Sequence, residues 1–166
     1  MIRRARIAVT GAPSAVAFAR DRVITQIRAW GVRLGEEGQE AIKLVASELI
    51  TNAVVHASGL VTVGLYLNWE RLLLVVHDCN PAPPRPRVTT EDDEGGRGLV
   101  LVELLAARHG WEATKNGKKV WAEFDVPVPT PTARVHVGAL RARMRAAIPY
   151  AFEYVIPERC ARVPGL

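Results

Sequence analysis

The spacing of hydrophobic positions changes along this chain, and the changes mark its elements. In "VTVGLYLN" (61–68), Val61, Val63, Leu65 and Leu67 alternate with smaller or polar residues, the period of a half-buried strand. "RLLLVVHD" (71–78) is a second, more apolar strand; the short step at Trp69–Glu70 makes the two an antiparallel hairpin. Upstream the period lengthens. Between about Glu36 and His56, Ile42, Val45, Leu49 and Ala53 fall on one helical face, with acids in the first turn and Gly59 just past the end. An earlier helix is predicted in "GAPSAVAFARDRVITQIRAWG", with Ser14 as a local cap, Val16, Val23, Ile27 and Trp30 as apolar positions and Gly31 as its stop. "RIAVT" (6–10) precedes it as a short strand. A third helix is expected over about 97–109, and "WEATK" and "VWAEFDV" form a last strand pair around "NGKK".

The predicted order is strand, helix, helix, two strands, helix, two strands. Adjacent strands of this kind build a largely antiparallel or mixed sheet with helices on one face, an α+β two-layer sandwich rather than a doubly wound sheet. Two stretches interrupt the pattern. Residues 79–95, "CNPAPPRPRVTTEDDEG", hold four of the eleven prolines and the acidic run Glu91 to Glu94, a loop long enough to be functional or disordered. After Asp125 comes "VPVPTPT", a proline-rich linker. The expected division is therefore a domain over 1–126 and an extension over 127–166, in which Val137, Leu140, Met144 and Ile148 form an amphipathic stripe beside Arg141, Arg143 and Arg145.

Charge refines this division. The net charge is +5, which by itself invites a nucleic-acid reading. Residues 127–166 carry Arg134, Arg141, Arg143, Arg145, Arg159 and Arg162 against Glu153 and Glu158, so most of the excess sits in the extension and the body is nearly neutral. The tail aromatics Tyr150, Phe152 and Tyr154 follow the arginines instead of interleaving with them, which argues against nucleic acid. No apolar run suits a membrane span or a signal peptide, so a cytoplasmic location is expected, with no membrane partner. Cys79 and Cys160 show no metal-ligand spacing and read as two free thiols.

Three short segments carry candidate chemistry. In "SELITNAVVHA" (47–57), Glu48, Asn52 and His56 stand four residues apart, one stripe at the edge of the apolar face. A carboxylate there can act as a general base, and an amide oxygen can join a Mg²⁺ shell completed by substrate phosphates and water. On this helix alone, solvated polar residues explain the stripe better. Asp78, at the end of a hydrophobic strand, is either a turn starter or an acceptor for an exocyclic amine such as adenine's. "GGRG" (95–98) opens a helix, as an ordinary glycine turn or as a set of backbone donors for phosphate. Neither a P-loop nor a GxGxxG fingerprint is present.

In this order and on these elements, the segments are more specific together. "SELITNAVVHA" resembles the N-box of the histidine-kinase-like (GHKL) ATPases, and more narrowly of their bacterial anti-sigma factor and serine-kinase branch. "VVHDCNPAPP" is similar to the adenine-contacting box, and "GGRGLVLVELLAARHGW" through "GKKVWAEFDV" to the phosphate-loop helix and closing strands. The resemblance covers residues from about 5 to 126. It implies ATP and Mg²⁺ as ligands, Glu48 as the base that activates a partner's serine, and Asn52 as the metal ligand. It implies Asp78 as the adenine acceptor, with Asn80, Gly96, Arg97, Gly98, Leu99 and Lys119 completing the nucleotide contacts. His56, where the family commonly has histidine, reads from the residues as a hydrogen-bonded side chain at the helix end. Relatives often carry DxGxG where this chain has "DCNPA", and threonine where it has Lys119. The implied partners are a sigma factor and an anti-anti-sigma-type antagonist, and a homodimer is open because that branch often dimerises. Two other readings stay in view: a non-catalytic nucleotide- or protein-binding module of the same fold, and, ranked last, nucleic-acid binding through the tail.

Overall fold

The computed structural model describes residues 2–10, 13–57, 59–84 and 98–128. The amphipathic stripe expected at 137–148 and the acidic run Glu91 to Glu94 lie outside them. In chain order the elements are β1 (Arg3–Val9), α1 (Pro13–Ala29), α2 (Glu36–His56), β2 (Val61–Asn68), β3 (Arg71–Asp78), α3 (Gly98–Leu105), β4 (Arg108–Thr114) and β5 (Gly117–Asp125). The strands form one sheet in the order β1-β2-β3-β5-β4, and every pair is antiparallel. Helices cover one face of it. The fold is the expected α+β two-layer sandwich.

The strand alternation decides which side chains meet those helices. Val61, Val63, Leu65 and Leu67 of β2, Leu72, Leu74 and Val76 of β3, and Ala122 and Phe124 of β5 all belong to the buried core. Opposite them α2 presents Ile42, Val45, Ala46, Leu49, Ile50 and Ala53, positions three and four apart that make one stripe. From α1 the core takes Ala19, Val23, Ile24 and Ile27. Val126, just past β5, also enters the core, and its N–H donates to the Glu70 carbonyl at 2.8 Å.

Four sequence expectations shift. Ser14 does not cap α1, because the helix already begins at Pro13, a residue whose fixed φ suits the first turn. Gly59 does not close α2 directly: the chain leaves the helix at Ala57, in extended conformation. The third helix is shorter than 97–109, ending at Leu105. Its expected last turn belongs instead to β4, where Arg108 to Trp111 pair with Glu123 to Val120. The closing turn is Lys115–Asn116, with Gly117 already on β5. No helix of the described residues is long and apolar enough to cross a membrane.

Candidate functional site

One end of β3, the C-terminal half of α2 and the start of α3 enclose a cavity of about 250 Å³. That is below the ~300–1,000 Å³ of pockets that take a whole small-molecule ligand. Its walls bring together Asn52 and His56 from α2, Asp78 and Asn80 from β3 and the turn after it, Leu99 from α3, and Lys118 from β5. Leu49, Pro83, Pro84 and Val120 supply apolar lining. The N-box stripe thus borders the core without joining it. Leu49 and Ala53 point into the sheet, and Asn52, one step round the helix, is half-buried at the cavity wall.

Asp78 lies at the cavity's base. Alternation along β3 puts it on the same face as Leu72, Leu74 and Val76, so a carboxylate stands where the next core side chain would be, 4% exposed. One oxygen is saturated. Oδ1 accepts from the Asn80 N–H at 2.8 Å and from Lys118 Nζ at 3.0 Å. Lys118 is itself 6% exposed and donates a second bond to the Asn80 carbonyl at 3.0 Å. The other oxygen, Oδ2, is buried with no hydrogen-bond partner. A buried acceptor without a donor costs ~1–3 kcal/mol, more when charged, and such groups occur where a ligand completes the set. Asn80 braces the turn: its amide donates to the His56 carbonyl at 2.7 Å, and its side-chain oxygen accepts from the Ala82 N–H at 3.0 Å.

Two glycines set the geometry. Gly117 has φ 143°, and a Cβ there would come 1.9 Å from the Asp78 carbonyl oxygen, so only glycine lets β5 approach the turn. Gly98 lies against the Glu48 carboxylate, and a Cβ there would come 2.3 Å from Oε2. Glu48 is therefore half-buried beside the first residue of α3, next to the cavity rather than in its wall.

The predicted residues sort accordingly. Asn52, Asp78, Asn80 and Leu99 line the cavity, and Glu48 and Gly98 touch each other at its edge. Gly96 and Arg97 lie outside the described residues. The placement of Lys119 in the pocket is corrected. It sits on the opposite face of the sheet, its Nζ 2.7 Å from Glu112, directly across from His77. Lys118 occupies the pocket instead, a residue the sequence reading missed. The signal was the alternation of β5: Val120, Ala122 and Phe124 face the helices, so Lys118 must as well. His56 lines the cavity with an exposed side chain, and its backbone carbonyl is what holds Asn80. Among the described residues no cysteine is free, so Cys79 is not the free thiol expected, and Cys160 lies outside them.

The sequence profile of the histidine kinase-like ATPase domain matches residues 11–124. The chain belongs to that family. Among solved structures, it is similar to the histidine kinase domain of the blue-light activated histidine kinase from Erythrobacter litoralis EL346. The identity is 23% and the TM-score 0.45, over 68% of this chain and 65% of that one. No curated protein matches the chain.

Proposed function

We propose that this domain binds ATP with Mg²⁺ and transfers the γ-phosphoryl group to a serine of an antagonist protein, as a regulator of the anti-sigma type. The observation that carries the nucleotide reading is Asp78 Oδ2, a buried acceptor without a donor in the wall of a largely apolar cavity. An exocyclic amine on a flat heterocycle meets that need. Family membership makes adenine the candidate.

The other roles follow from position. Asn52 would offer its amide oxygen to Mg²⁺, which when bound offsets phosphate charge. The start of α3 at Gly98 would present backbone N–H groups to the phosphates. Glu48, held beside Gly98, would take the proton of an incoming serine hydroxyl. Phosphoryl transfer asks mainly for positioning and charge compensation, so a site this sparse suffices. The sigma factor and antagonist are proposed from the resemblance of the N-box and glycine segments, and a location in the cytoplasm is proposed alongside them.

The test has two stages. Calorimetry with Mg²⁺ and ATP on wild type and Asp78→Ala should show binding in the first and its loss in the second; equal binding of ATP and GTP by wild type would remove the Asp78 assignment. Labelled ATP with candidate antagonists should then show phosphoserine. Nucleotide binding without transfer to any antagonist from the same cell would favour the binding-module reading.

A further inference from the structure

Asp78 and Lys118 are directly opposed in the β3–β5 ladder. Both side chains rise on the helix-facing side of the sheet, and both line the cavity. Their ion pair joins Oδ1 to Nζ at 3.0 Å, which leaves Oδ2 without a donor. The lysine is also incompletely used. An ammonium has three donors, and two are spent, on Asp78 Oδ1 and the Asn80 carbonyl, each at 3.0 Å. The cavity wall therefore presents an acceptor and a donor side by side, held by a strand pair and by the Asn80 turn.

We propose that Lys118 is a specificity-determining residue for the nucleobase, donating its third N–H to the ring nitrogen N1 of adenine beside the amine that Asp78 Oδ2 accepts. This rests on the adenine reading of the cavity. Adenine's edge offers a donor, the N6 amine, next to an acceptor, N1. That is the complement of the acceptor–donor pair Asp78–Lys118. Guanine offers the reverse, a carbonyl next to an N–H, which would set oxygen against carboxylate and N–H against ammonium. The pair therefore discriminates twice, by matching one base and opposing the other. Lys119 cannot substitute, because alternation turns it to the far face, where it pairs with Glu112.

Atom deletion on the ligand tests this without disturbing the fold. Calorimetry on the full chain with Mg²⁺ compares ATP, 1-deaza-ATP, which has C–H in place of N1, and purine riboside triphosphate, which lacks the amine. Wild type should bind 1-deaza-ATP roughly 10–100-fold more weakly than ATP, the worth of one hydrogen bond to a charged group. It should also be weakened by loss of the amine. In Lys118→Met the penalty for replacing N1 should disappear. Wild type that binds 1-deaza-ATP as tightly as ATP, yet still suffers from loss of the amine, overturns the role of Lys118 and leaves that of Asp78 intact. Wild type indifferent to both deletions, or blind to ATP, overturns the adenine reading and the proposal with it. A purely structural Lys118 would lower the melting temperature of Lys118→Met and leave the ratio of ATP to 1-deaza-ATP affinity unchanged from wild type.

Discussion

Replacing Gly117 with alanine should damage both stability and nucleotide binding, although the residue carries no functional group. Its φ of 143° is one that side-chain-bearing residues rarely adopt, and a Cβ would lie 1.9 Å from the Asp78 carbonyl oxygen and 2.6 Å from Cys79 Cα. Both obstacles are backbone, so relief requires β5 to separate from β3 by more than about 1 Å before ordinary contact is restored. The strained conformation costs ~1–3 kcal/mol and overpacking a further ~1–3 kcal/mol. Together that is a large part of the ~5–15 kcal/mol that holds a domain folded. At a few degrees per kcal/mol, the melting temperature should fall by roughly 10–25 °C. The separation also breaks the rung where Asp78 and Lys118 face each other, so the surviving folded protein should bind ATP weakly. Gly38→Ala is the control: inside α2, its Cβ would meet only Leu34 Cδ2, at 4.0 Å. It should gain ~0.5–1 kcal/mol. Thermal unfolding followed by circular dichroism, with calorimetry on each variant, decides the matter. If Gly117→Ala melts within 2 °C of wild type and keeps its ATP affinity, the close approach of β5 to Asp78 does not govern the site.

Three further outcomes are expected. Asn52→Ala should weaken Mg²⁺-dependent ATP binding, whereas Glu48→Gln should keep binding and lose about 10²–10⁴-fold in phosphoryl transfer; transfer at the wild-type rate by Glu48→Gln would exclude it as the base. His77 is held below the usual histidine range by burial, then by Lys119 and Arg6, with Asp78 acting the other way. The unfolded chain therefore binds its proton first as pH falls, so stability should be full above ~6.5 and decline below it until the folded histidine titrates; denaturant titrations across pH 5–8 should show this slope flattened in His77→Gln. Truncation after Val128 should leave a folded, ATP-binding domain, and an insoluble product would show that residues 129–166 belong to the core; a cut after Asp125 is expected to cost stability, since it removes the core residue Val126.

Several elements were legible because their apolar pattern is strong and two-sided. β2 follows from its period, α2 from its apolar stripe and the acids in its first turn, and β3 from an apolar run, buried on both faces at Leu74 to Val76, that ends at Asp78. β4 was legible only in its second half, as "WEATK", and its start at Arg108 was not. It is an edge strand whose residues are all exposed or half-buried, so "RHGW" shows no alternation and extends the helix pattern before it. The site was readable as residue types and order, and its phase lay in the strand alternation. Lys118 and Lys119 are chemically identical neighbours, and only the alternation of Val120, Ala122 and Phe124 along β5 tells them apart. The contact between Glu48 and Gly98 joins residues fifty positions apart and depends on how α3 meets α2, which no local pattern encodes.

The sheet order places β5, the last strand among the described residues, between β3 and β4. A nascent chain that has emerged through Thr114 already holds Asp78 but not its cation, because Lys118 has yet to leave the ribosome. Until then the carboxylate has no partner lysine to pair with, and an unpaired buried charge is strongly unfavourable. The central strand can therefore settle into its final place only once the chain is almost through the domain. Vectorial synthesis thus favours a late, single closing step over gradual assembly of the site. Partial chains, from stalled synthesis or proteolysis upstream of Gly117, would lack Lys118 and so leave Asp78 without its cation.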